Sequence, residues 1–310
     1  MAEKLYARDA YGKALVELGK QNPNIVVLDS DLSGSTRTAL FAKEFPGRFF
    51  NFGVAEQNMM ATAAGLASCG KIVFASTFAI FASGRAWDQV RNSICSNNFD
   101  VKIVATHGGL TVGPDGCSHQ AIEDIALMRA IPSNMTIIVP CDAQETTAAI
   151  FAAVKTAGPM YIRLGRSKVA TIAGKKDFKI GQSYTLREGN DITIIACGIM
   201  VEKALEASVD LEKDNIQARV INMHTVRPID KEAVLKAAKE TKGIVACEEH
   251  IINGGLGSAI DDVVVANKPT YVARVGIANR FGQSGECEEL LAEYCLTTND
   301  ILKACKKILG

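Results

Sequence analysis

Short, apolar, β-branched runs alternate along this chain with longer segments whose apolar residues recur at helical spacing, such as 121–129 and 143–155. The runs fall at 25–28, 72–74, 101–104, 136–139 and 161–164, and again at 192–196, 218–221, 244–247 and 271–275. Such alternation implies parallel strands joined by helical crossovers, so the fold class is α/β, with helices on both faces of a parallel sheet. Around 167–190 the pattern lapses into a polar stretch that includes Ala173-Gly174-Lys175-Lys176-Asp177. The expected organisation is therefore a domain of residues 1–170, a linker of 171–190 and a smaller α/β domain of 191–310. A chain of 310 residues, 48% of them apolar, is long enough to give both domains a core.

Charge and cysteine usage narrow the function. Basic and acidic residues number 34 each, which argues against nucleic acid or an anionic membrane as the main partner. No apolar run approaches the roughly 18 to 20 residues that span a bilayer. The first residues lead into helical sequence without a signal-peptide core. Nine scattered cysteines, with no Cys-x-x-Cys pair, suit reduced thiols better than disulfides or zinc. A cytoplasmic protein is expected.

Glu56 stands at the seam between the aromatic run Phe49-Phe50-Asn51-Phe52 and an Ala/Gly-rich apolar helix. A lone carboxylate there is expected to be buried, and burial without a cation favours the neutral acid, which suits a proton-handling group. The alternative is a capping or salt-bridged structural carboxylate. Downstream, Phe78 and Phe81 stand three apart, on neighbouring faces of an expected helical turn. They read either as core filler or as a platform for a flat heteroaromatic ring.

The stretch from His107 to Gln120 holds four glycines and a proline and is expected to be a loop. It carries His107, Asp115 and His119, groups suited to hydrogen bonding a polyol and to proton transfer. Their irregular spacing argues against a metal. Arg163 and Arg166 end a strand, where a guanidinium can grip phosphate or form an ordinary ion pair. Gly254-Gly255-Leu256-Gly257-Ser258-Ala259-Ile260 has Ile260 where a dinucleotide loop needs its third glycine, and reads as a tight strand-to-helix turn. His224 and His250 read as structural or interface residues. In parallel sheets ligands collect beyond the carboxyl ends of the strands, where Asp29-Ser30-Asp31, Glu56 and Thr106-His107 are all expected.

Three segments, in order, carry a family resemblance: Gly53-Val54-Ala55-Glu56-Gln57-Asn58-Met59, then Ser76-Thr77-Phe78-Ala79-Ile80-Phe81, then Thr106-His107 with Val112-Gly113-Pro114-Asp115-Gly116-Cys117-Ser118-His119-Gln120. They resemble the glutamate, aromatic and sugar-binding segments of the transketolase family of thiamine diphosphate enzymes. The likeness covers essentially the whole chain, as the C-terminal half of a transketolase made as a separate subunit. It implies a pyrimidine-binding domain followed by the family's smaller C-terminal domain. By the same resemblance Glu56 hydrogen-bonds the aminopyrimidine N1′ and promotes the imino tautomer, and the cofactor's own amino group then removes the thiazolium proton. Phe81, with Phe78 beside it, stacks on the pyrimidine. His119 and Asp115 meet the sugar hydroxyls, and Arg8, Ser35, His107 and Arg166 fall where the family holds the substrate phosphate.

Two departures matter. Gly84 replaces an aromatic found in many family members, which leaves either a looser ring pocket or a role for Trp87. The family's Gly-Asp-Gly…Asn motif for the divalent metal is missing, so Mg²⁺ and the diphosphate are expected on an N-terminal partner subunit, in a heterotetramer. The activity so implied is transfer of a two-carbon ketol unit between sugar phosphates. Enzyme alternatives are half of a 1-deoxyxylulose-5-phosphate synthase, which His107 disfavours, and a 2-oxoacid dehydrogenase β subunit, which the Gly-Pro-Asp-Gly-x-x-His loop disfavours. A catalytically silent subunit of the same fold is the alternative from another class.

Overall fold

The computed structural model describes residues 4–172 and 177–310. Residues 1–3, and residues 173–176 near the start of the expected linker, lie outside the described residues. Seven strands form the larger sheet, in the order Thr225–Arg227, Thr136–Ile138, Met160–Arg163, Val101–Thr106, Ile72–Phe78, Ile25–Asp29, Phe49–Asn51. All neighbours are parallel except the first pair. The second sheet runs Val272–Ile277, Ile244–Ile251, Ile192–Ala196, Ala218–Asn222, Tyr184–Arg187, with only the last strand antiparallel. The mixed α/β architecture expected from the alternating pattern is thus present.

Period-two alternation divides the larger sheet between two cores. On the Ile72–Phe78 strand, Val73 and Ala75 join one cluster with Met59, Met60 and Ala63 of the Glu56–Ser68 helix. Phe74 points the other way and packs with Tyr11, Leu15 and Ile150, from the Ala7–Gln21 and Ala143–Val154 helices. A third cluster, around Ile194, Val220 and Val245, fills the second sheet.

Two features lie beyond the alternating pattern. The stretch read as linker contributes the Tyr184–Arg187 edge strand to the second sheet. The Thr225–Arg227 strand leaves the second series to pair with Thr136–Ile138 of the first. Further backbone bonds, from Ile251 N–H to the Ile122 carbonyl (2.8 Å) and Val139 N–H to the His224 carbonyl (2.7 Å), tie the two halves together.

Arg163 is the charged knot of that junction. It is 5% exposed, and its Nε donates to Asp124 Oδ2 at 2.8 Å. Its Nη2 donates to the carbonyls of Ala121 (3.0 Å) and Glu249 (2.9 Å), and Tyr161 donates its hydroxyl to the same Asp124 oxygen at 2.6 Å. Of the two roles open to Arg163 in the sequence, the structural one is the one seen. Removing one partner of a buried pair leaves the other charge uncompensated. Arg163→Ala should therefore lower stability by about 3–5 kcal/mol, measured by urea unfolding. A loss below about 1 kcal/mol, the range of exposed pairs, would mean that water replaces the guanidinium at no great cost.

Candidate active site

Because six adjacent strands are parallel, their carboxyl ends share one edge, and the residues of interest gather there. Asp29 ends its strand fully buried and accepts hydrogen bonds from Leu32 N–H (2.6 Å), Thr36 Oγ1 (2.7 Å) and Thr38 Oγ1 (2.8 Å). Burial pushes its carboxyl above the ordinary range, against the pull of those donors. Asp29 thus builds the Ser33–Thr36 turn that carries Ser35, whose carbonyl accepts from Arg8 Nη1 at 3.2 Å.

Glu56 opens the Glu56–Ser68 helix, where the dipole favours a carboxylate, and is 1% exposed. The expectation of a lone carboxylate needs correction. Arg85 Nη1 straddles both Glu56 oxygens, at 3.0 Å and 2.8 Å. Arg85 is a site residue that the sequence marks only by its place four residues after Phe81.

Phe78 and Phe81 do not share a helical turn as expected. Phe78 is the last residue of its strand, and Phe81 opens a π-helical turn, Phe81–Arg85, closed by Ala86 N–H on the Phe81 carbonyl at 3.2 Å. Turns of this kind are rare and cluster at functional sites. The two rings lie nearly parallel, centroids 5.9 Å apart, and the Arg85 guanidinium lies over the Phe81 ring at 4.5 Å. Trp87 does not replace the aromatic missing at Gly84. Its indole N–H donates to the Leu127 carbonyl at 3.0 Å and its ring packs against the core.

His107 sits on the face of Phe78, centroids 3.8 Å apart, and His119 meets Phe81 edge-on at 5.5 Å. His107 is buried, with φ +61°, and its Nδ1 is 2.9 Å from Thr106 Oγ1. Burial, reinforced by the positive Arg8 and Arg166 and by His119, pushes its pKa down to about 3. It is a neutral imidazole at physiological pH.

The loop from His107 onward is held from beneath by the C-terminal half. Glu249 Oε1 accepts the Thr111 N–H at 2.7 Å, and Gly109, at φ +92°, lies so close that a Cβ would come within 2.2 Å of the Glu249 carboxyl carbon. Burial pushes the Glu249 carboxyl up, while Arg163 and the Thr111 amide oppose it. Arg166 Nη1 donates to the Val112 carbonyl. Asp115 is exposed and His119 half-buried on the outer part of this loop. The antiparallel ribbon of Lys4–Tyr6 and Lys168–Ala170 brings Arg8 beside Arg166, and both line a cleft of about 250 Å³ with Tyr6, Ser167 and Lys168.

The remaining sequence signals resolve as scaffold. Glu248 accepts the N–H groups of Leu256 (2.6 Å) and Gly257 (2.8 Å), filling the helix N-terminus that follows the Gly254-Gly255 turn. His250 Nε2 accepts from Ala126 N–H at 3.2 Å, and His224 packs against Phe178 and Tyr184. Among the described residues, no group of three or more His, Cys, Asp or Glu side chains is arranged to hold a metal ion, and no helix is long and apolar enough to cross a membrane.

Comparison with known proteins places this geometry. Residues 3–171 match the family model of the transketolase pyrimidine-binding domain, and residues 181–301 that of the transketolase C-terminal domain. A putative transketolase C-terminal section of Methanocaldococcus jannaschii is 50% identical over 300 residues, covering 96% of this chain and 94% of that protein. A 6-deoxy-6-sulfo-D-fructose transketolase subunit of a Clostridium species is 40% identical over 307 residues, covering 99% and 95%. The solved structure of a split-gene transketolase, an inactive β4 tetramer, superposes with a TM-score of 0.92 at 52% identity, covering 98% of each chain.

The buried histidine gives a pH test. Folded, His107 takes up its proton only near pH 3, whereas the unfolded chain does so near 6.5. Its contribution to stability is complete above 6.5 and is lost as the pH falls toward 3. His107→Asn should therefore lose less stability than wild type between about pH 7 and pH 4, by on the order of 1 kcal/mol or more. Urea unfolding at a series of pH values checks this, and parallel losses in both proteins would overturn it.

Proposed function

The chain belongs to the transketolase family, and on that premise we propose that it is the pyrimidine-binding subunit of a split transketolase. With a diphosphate-binding partner it moves a two-carbon ketol unit from a ketose phosphate to an aldose phosphate. One observation carries the reading: a buried carboxylate, Glu56, and a ring, Phe81, follow strand ends of the larger sheet, and Arg166 follows another, with Arg8 beside it in one cleft.

These residues fit one part of thiamine diphosphate. A flat aminopyrimidine needs a ring to stack on and a carboxyl partner for its N1′, and Phe81 with Phe78, and Glu56, supply them. The Gly-Asp-Gly…Asn motif with which the family holds the diphosphate and its Mg²⁺ is missing from the sequence. They fall to the partner subunit. When bound, the cofactor supplies the nucleophilic carbon that carries the ketol unit.

The chain's own residues then divide the work. Glu56 shares a proton with N1′ from a helix N-terminus that holds the carboxylate in place. His119 and Asp115, on the outer loop, reach sugar hydroxyls near the reacting carbons. Arg8 and Arg166 bring charge to the distal phosphate, Ser35 lines their approach, and neutral His107 adds a hydrogen bond without adding charge. A sulfonate offers a similar set of anionic oxygens, and one relative is named for a sulfonated sugar, so the terminal anion is the part of the substrate least fixed by this reading. Heterotetrameric assembly and a reducing, cytoplasmic setting complete the proposal, in keeping with nine free cysteines.

The isolated chain should bind thiamine diphosphate weakly and show no turnover, as the inactive solved relative suggests. Calorimetry with and without the partner decides this, and tight Mg²⁺-dependent binding to the chain alone would overturn the split-subunit reading. Arg166→Ala should cost a phosphorylated ketose roughly 1.5 to 3 kcal/mol, or about one to two decades in kcat/KM. An unphosphorylated donor such as hydroxypyruvate should feel the change much less, and a 6-sulfonated ketose should follow whichever class the cleft prefers. Equal losses for all donors would assign Arg166 to structure instead.

A further inference from the structure

Arg85 occupies the seat that the proposed cofactor ring requires. Its guanidinium is planar and carries N–H donors, as an aminopyrimidine is planar and carries an amino group. One of its nitrogens engages both oxygens of Glu56, and its guanidinium carbon lies 4.5 Å from the Phe81 ring centre. The carboxylate and the ring that would clasp the pyrimidine are thus both engaged by one side chain of the same molecule. We infer that Arg85 is a place-holder of the ring seat: it keeps Glu56 paired and aimed until the aminopyrimidine displaces it.

Three further observations fit displacement rather than permanent residence. The Arg85 side chain is 46% exposed while Glu56 is 1% exposed, so the cation has an open path to water and the carboxylate has none. A Cβ at Gly84 would meet nothing within 4 Å, so the residue just before Arg85 stands in open space. Trp87, the other flat group nearby, is fixed by its bond to Leu127 and cannot take the same seat. Leaving a buried carboxylate with no partner is costly, whereas exchanging a half-solvated guanidinium for a hydrogen-bonding ring is a near-balanced swap.

The inference rests on the thiamine reading, and the test separates the two. Thiamine diphosphate with Mg²⁺ is titrated by calorimetry into the complex of the full chain with its partner subunit. Arg85→Ala should bind about threefold to tenfold tighter than wild type, because no ion pair has to open first. Arg85→Lys, with charge but no plane, should fall between them. Because Arg85→Ala could lose folding stability with Glu56 unpaired, the wild-type complex gives a second readout. In its ¹⁵N side-chain spectrum the Arg85 guanidinium N–H signals should be protected without cofactor and exchange freely with it, assigned by their loss in Arg85→Ala. Equal or weaker binding by Arg85→Ala, or an Arg85 signal unmoved by cofactor, would overturn the place-holder role alone. No binding by any of the complexes would overturn the thiamine reading, and the place-holder role with it.

Discussion

The Arg163 guanidinium links parts of the chain that otherwise have little reason to keep their relative positions. Its partners lie on a strand-following helix, on a loop carbonyl and on the Ile244–Ile251 strand of the other sheet. Glu249, whose carbonyl it holds, in turn holds the Thr111 amide with its side chain. The loop bearing His107 and His119 therefore rests on a residue from the C-terminal half, itself fixed by an arginine of the first half. Breaking the junction would leave the buried Arg163 and Asp124 charges without each other, so mismatched packings are costly.

The ring cluster obeys a different physics. Phe78, Phe81, His107 and His119 meet face to face or edge to face, at spacings where aromatic groups attract one another modestly. A cationic imidazole on the face of Phe78 would gain from the ring but would repel the adjacent arginines. Burial and those arginines push the His107 pKa down, against that gain. The two arginines can thus stand close to it without a third positive charge between them.

Much of this arrangement was legible in the sequence, because parallel α/β structure writes itself as period: apolar runs, helical spacing, polar residues just beyond strand ends. Glu56, the two phenylalanines and the histidine loop could be picked out because each breaks that pattern at a strand end. What escaped was set by distant partners. Arg85 carries no distinguishing pattern in the sequence beyond its place after Phe81, and the π-helical turn brings it over Phe81 and onto Glu56. The Tyr184–Arg187 strand hid in a polar stretch because an edge strand buries only one side and needs little apolar sequence. Thr225–Arg227 is three residues long and pairs across the junction, so local pattern carries almost no trace of it.

That short strand also sets an order of events as the chain is made. The other six strands of the larger sheet have all emerged once synthesis passes Arg163, yet the Thr136–Ile138 strand still lacks a neighbour on its outer side. Its closing partner lies on the order of sixty residues downstream, a delay of several seconds at about 5–20 residues per second. Through that interval the nascent domain carries an open β edge, the kind of surface on which unfinished chains join one another. Completion of the first sheet therefore waits on translation of the second half. A message truncated between the two would release a domain with an unclosed edge rather than a finished one.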